Sequence, residues 1–164
     1  MLSTQVQSTR RRASGAITQA YAKPVAARTY LLEEANRALP RVRRLTERIV
    51  ELTHKLPELE DELRIAEYRA RRPEAAAEDR RRYEEAADRM GSAEEELVGA
   101  VGRLDELGVR LKDPSIGLVD FLSYLEGELV ELCWQLGEHR VGYWHRIGEG
   151  YAGRRPIRAS GDNS

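Results

Sequence analysis

At Gly108 the spacing of apolar residues changes from helical to alternating, and that change limits the folds open to the chain. Before it, Ala35, Leu39, Val42, Leu45, Ile49, Leu52, Leu56, Leu59, Leu63 and Ala66 step by three or four residues, which aligns them along one stripe of a helix. After it, Val109 and Leu111 alternate with Arg110 and Lys112, the period of a strand with one buried face. Helices followed by short strands predict an α+β fold: a long antiparallel helical hairpin packed on a small antiparallel sheet of three or four strands.

The helical half carries its own punctuation. Thr29 is the predicted N-cap region, followed by Glu33 and Glu34, where the helix dipole favours acids. Pro40 and Pro57 each remove a backbone donor, and since the apolar stripe keeps its phase across Pro57, a kink is expected there rather than a reversal. The reversal falls at Arg71-Arg72-Pro73-Glu74, with Pro73 in the first turn of the next helix. Tyr83, Ala87, Met90, Leu97, Val101 and Leu104 form the second stripe, and Gly108 suits the left-handed position that ends helices. Such a hairpin uses up its stripe against itself; the alternative is a coiled coil that dimerises or binds a partner helix.

The sheet half predicts strands at Val109–Lys112, Leu118–Leu122, Glu128–Leu136 and around Val141–Ile147. Asp113-Pro114-Ser115, Glu126-Gly127 and Gly137-Glu138-His139 supply the turns. A last hairpin loop of two or four residues pairs Trp134 with Tyr143, Leu132 with His145, Cys133 with Trp144 and Glu131 with Arg146. That register places His145 on the inward, apolar face and puts Cys133 and Trp144 on the outward one.

Length and charge set the outer bounds. A chain of 164 residues is most simply one domain. Its segments are a disordered basic tail (1–28), the hairpin (29–108), the sheet of the same domain (109–158) and a short disordered end (159–164). Residues 1–28 carry Arg10, Arg11, Arg12, Lys23 and Arg28 and no acid, while the hairpin and sheet regions are acidic. Any nucleic-acid binding is therefore expected only through that tail. One cysteine excludes an internal disulfide framework and fits a reducing cytoplasm. No apolar run approaches the roughly 18 residues of a membrane span.

Several residues together carry a family likeness. Lys112-Asp113, Gly117-Leu118-Val119-Asp120-Phe121, Leu132-Cys133-Trp134, Gly137-Glu138, Trp144-His145, Gly153-Arg154 and Pro156-Ile157 follow one another at short spacings. With Glu33-Glu34-Ala35-Asn36 and Leu39-Pro40 as the opening helix, the chain over about residues 29–158 resembles the bacterial domain-of-unknown-function family numbered 2203. The resemblance implies a small bacterial cytoplasmic protein and carries over no catalytic residue.

For chemistry, Cys133, Glu138, His139, His145 and Glu149 offer soft and hard ligand types, but without the paired CxxC or HxxxH spacing of structural zinc. His145 with Glu138, Glu149 or Asp120 is the metal alternative, with a divalent ion as cofactor. A Cys133 nucleophile served by His145 and Asp120 is disfavoured by the opposed faces. Gly148-Glu149-Gly150 lacks the lysine and context of a phosphate loop. The leading expectation is a binding or interaction protein with no catalytic residues and no cofactor. Its surface is formed by Asp120, Glu138, Trp144, His145 and Arg154, and it engages a protein partner or a second copy of itself. The alternative is a metal- or ligand-binding enzyme centred on His145.

Overall fold

The computed structural model describes residues 28–157. The expected tails, 1–28 except for Arg28 and 159–164, lie outside the described residues, as does any nucleic-acid contact through the basic one. The architecture is α+β. Helix α1 (Leu32–Ala70) and helix α2 (Ala77–Glu106) form the antiparallel hairpin, and β1 (Val109–Asp113), β2 (Leu118–Leu125), β3 (Glu128–Gln135), β4 (Tyr143–Arg146) and β5 (Arg155–Pro156) form one antiparallel sheet. The strands lie in chain order, a simple meander. The sequence predicts three or four strands; the fifth is two residues long and includes a proline, so no alternation marks it.

The helices form where the stripes predict. Ala35, Leu39, Val42, Ile49, Leu52 and Leu59 of α1 are buried against Met90, Leu97, Val101 and Leu104 of α2 and the sheet beneath. Helix α1 continues through Pro40 and Pro57 without the reversal that the in-phase stripe excludes, and both prolines lie on its exposed side, where water can satisfy a carbonyl that has lost its donor. Two details differ from expectation. Pro73 stays in the connecting loop, and α2 begins at Ala77. The cap of α1 is at Leu31, not Thr29: the Leu31 N–H donates to the Glu34 carboxylate at 2.8 Å.

One face of the sheet rests on the hairpin. Val109, Leu111, Val119, Phe121, Leu132 and Trp134 point into that layer and are buried, with Tyr30 packed edge-on to Phe121 at 5.2 Å. Gly117 brings the β1–β2 turn against α1. It has φ +67°, and a Cβ there would lie 2.7 Å from Thr46 Cγ2 and 2.8 Å from Leu136 Cβ. Only glycine fits both the backbone angle and the gap.

The β3–β4 register corrects the sequence reading by one residue. Cys133 pairs with Tyr143, Leu132 with Trp144, Glu131 with His145 and Val130 with Arg146. The connection 136–142 is odd in length because helix α1 ties it down. The Glu138 carbonyl accepts from Trp134 Nε1 and Arg43 Nη2, both at 3.0 Å, and the Val141 N–H donates to Asn36 Oδ1 at 2.9 Å. Such long-range anchors leave no periodic trace. Because side chains alternate, the shift reverses every face assignment on β4. Trp144 packs against the core, and His145 turns to the outer face, alongside Cys133.

Candidate functional site

The outer face of the sheet carries a buried polar cluster. Asp120 on β2 pairs across the ladder with Cys133 on β3, and Glu131, two residues earlier on β3, pairs with His145 on β4. All four side chains therefore share one face. Strand alternation does this: the residues between them, Val119, Phe121, Leu132 and Trp134, are the ones that fill the core. His145 and Cys133 are 0% exposed, Asp120 2% and Glu131 3%.

The ligand-type atoms of Asp120, Cys133 and His145 lie within 4.8 Å of one another. His145 is oriented by its backbone neighbour: Nδ1 is 2.9 Å from the Arg146 carbonyl oxygen, with Glu131 Oε2 at 3.5 Å on the same side. A carbonyl only accepts, so Nδ1 carries a hydrogen toward Arg146. Nε2 lies 3.3 Å from Asp120 Oδ2. Neither Nε2 nor either Asp120 oxygen has a hydrogen-bond partner among the described residues. Buried polar atoms so placed are ordinarily satisfied by a hydrogen bond or by an opposite charge.

Two cations stand at the rim. Lys112 Nζ is 3.5 Å from Asp120 Oδ2 and 3.8 Å from Glu131 Oε1, and Arg110 Nη1 is 3.3 Å from Glu131 Oε1. The Cys133 thiol is pushed up to about 12 by burial and by the Asp120 carboxylate beside it. A thiol held so firmly in its neutral form is not a resting nucleophile. Coordination to a metal would supply the positive charge that removes its proton.

The structure divides the sequence-derived residues into two groups. Asp120 and His145 come together, with Cys133 joining them. Glu138 and Arg154 form a separate pair, Arg154 Nη2 lying 2.7 Å from both Glu138 oxygens, while the Arg154 guanidinium stacks on Tyr143. Arg154 approaches the cluster only through a 3.5 Å contact to the Cys133 carbonyl. Glu149 is engaged elsewhere, accepting from the Arg146 N–H and from Arg155 at 3.1 Å each, which lowers its pKa. His139 is exposed on its loop, and Trp144 is half-buried under Arg155. Glu131 and Lys112 were missed. Their signal was present in the alternation of β1 and β3, but a correct β4 register was needed to use it.

Taken together, fold and site describe a small α+β protein whose sheet is apolar toward its helices and bears a sealed cluster of ligand-type side chains on the other side. Among the described residues no helix is long and apolar enough to cross a membrane. The chain belongs to the family described as uncharacterized conserved protein, DUF2203, whose model matches residues 28–157. No curated protein and no solved structure matches it.

Proposed function

We propose that the protein binds one divalent transition-metal ion through Asp120, Cys133 and His145. The observation that carries this reading is the 3.3 Å approach of His145 Nε2 to Asp120 Oδ2, two buried atoms with no hydrogen-bond partner among the described residues. Metal–ligand bonds of about 2.0–2.1 Å at tetrahedral angles hold two N or O ligands roughly 3.3 Å apart, so the spacing suits a shared ion. A thiolate and a carboxylate offset the double charge of the ion. The mixed S, N, O set favours zinc or ferrous iron over magnesium or calcium, which take oxygen ligands. Glu131 and the Arg146 carbonyl on the far nitrogen orient the imidazole, the usual support for a ligating histidine. Three protein ligands leave a fourth coordination position for water.

The test is elemental analysis and cobalt(II) titration of the full chain. The expected result is one equivalent of bound metal, with a thiolate-to-cobalt absorption band that disappears in Cys133→Ala and a loss of binding in His145→Ala. Metal content that is substoichiometric, or unchanged in both variants, overturns the reading.

An interaction surface rests on a different observation. Tyr124 and Leu129 are cross-strand neighbours on this same outer face, and they are 61% and 38% exposed. On this second reading they engage a protein partner or a second copy of the chain. Sedimentation of the wild type beside Tyr124→Ser tests self-association; a monomer at all concentrations rules out the second copy.

A further inference from the structure

We propose that Lys112 is a built-in competitor for the metal: its ammonium neutralises Asp120 in the metal-free protein and swings into solvent when an ion enters. This rests on the metal reading above and adds a means of control to it. The first support is backbone geometry. Along β1, Arg110 pairs with Asp120 and Leu111 with Val119, but the next partner, Leu118, pairs with Asp113 rather than Lys112. Lys112 is thus the extra residue of a β-bulge, a feature that re-aims side chains and recurs beside functional sites. Lys112 lies two residues from Arg110, the direct partner of Asp120, and its Nζ comes within 3.5 Å of Asp120 Oδ2.

The second support is the looseness of that contact. At 3.5 Å and 3.8 Å the ammonium is held by charge without a short hydrogen bond to either carboxylate, and its side chain is 31% exposed. A lysine stem that already reaches water can release its head group at small cost. Asp120 is 2% exposed and cannot turn to solvent in the same way. Among the described residues Lys112 is the one lysine or arginine within ion-pair distance of Asp120, whereas Arg110 reaches only Glu131. The cluster therefore exchanges one cation for another. Apparent metal affinity is lowered by the fraction of molecules in which the ammonium holds the site.

The experiment compares zinc affinity in the wild type, Lys112→Gln, Lys112→Met and Arg110→Gln. Amine acetylation of Lys112 is followed by mass spectrometry with and without zinc. If the ammonium holds nine molecules in ten, removing it tightens zinc binding roughly tenfold. Arg110→Gln, which removes the same charge from the rim, changes affinity by a smaller factor, and zinc speeds Lys112 acetylation. Lys112→Met keeps the packing of the stem should the glutamine variant fail to fold. Equal tightening in the Lys112 and Arg110 variants, or acetylation indifferent to zinc, overturns the role of Lys112 and leaves the metal centre standing. Absence of zinc binding in the wild type and in both Lys112 variants overturns the centre itself.

Discussion

The Arg154 guanidinium lies over the Tyr143 ring at 4.1 Å and places Nη2 2.7 Å from each oxygen of Glu138. Glu138 in turn takes the Gln135 N–H at 2.8 Å, and its carbonyl holds Trp134 and Arg43. One residue thereby joins α1, β3 and the C-terminal segment. Arg154 is about nine-tenths buried, so Arg154→Ala leaves a part-buried carboxylate unpaired and is expected to cost about 2–4 kcal/mol in urea denaturation. Arg154→Lys keeps the charge but loses the stacked plane, and should cost less. A loss below about 0.5 kcal/mol would reduce the pair to an ordinary surface contact.

Gly117 and Gly127 make a controlled comparison. Both have positive φ, +67° and +82°, but only Gly117 is crowded by Thr46 and Leu136, while nothing lies within 4 Å of a Cβ at Gly127. Gly127→Ala carries the left-handed backbone penalty alone, about 1 kcal/mol. Gly117→Ala adds displacement of packed side chains, for a total of about 2–4 kcal/mol by thermal or chemical unfolding. Equal costs would mean that the turn does not seat on α1 as described.

Asp120→Asn separates stability from function. It removes a buried charge whose partner, Lys112, can return to water. The metal-free variant is therefore expected to be as stable as the wild type or about 1 kcal/mol more so, while losing metal affinity. A destabilisation of several kcal/mol would identify Asp120 as a structural anchor instead.

Cys133 gives the metal-free protein an alkaline liability. Its thiol is raised to about 12 when folded, so the folded chain stays protonated where the unfolded chain, near 9, ionises. The stabilisation is complete below pH 9 and is lost as pH climbs toward 12, by about 1.4 kcal/mol for each unit. Between pH 8 and pH 10 the wild type should lose about 1 kcal/mol more than Cys133→Ala, read as the difference in urea midpoints. Parallel pH profiles would show that the thiol is not held neutral.

The hairpin, the strand positions and the two-sided sheet were legible because each depends on residue periodicity along the chain. The candidate site was legible only in its parts. Asp120 and His145 stand out in the sequence, but a short hairpin gives a well-matched alternative register, Trp134 opposite Tyr143, that places His145 on the inner face. The contacts that overrule it, Arg43 and Trp134 on the Glu138 carbonyl and Asn36 on the Val141 N–H, join distant residues by single hydrogen bonds. Metal-ligand spacing rules could not help either, since ligand-type side chains drawn one apiece from three strands have no fixed separation in sequence.

Strands β2 and β3 send consecutive side chains to opposite duties, Val119, Phe121, Leu132 and Trp134 to the layer against the helices and Asp120, Glu131 and Cys133 to the cluster. The two sets share a backbone but not a neighbourhood. Selection could therefore rewrite the chemistry of the outer face, exchanging one ligand for another or erasing it, while the apolar layer that folds the molecule stays untouched.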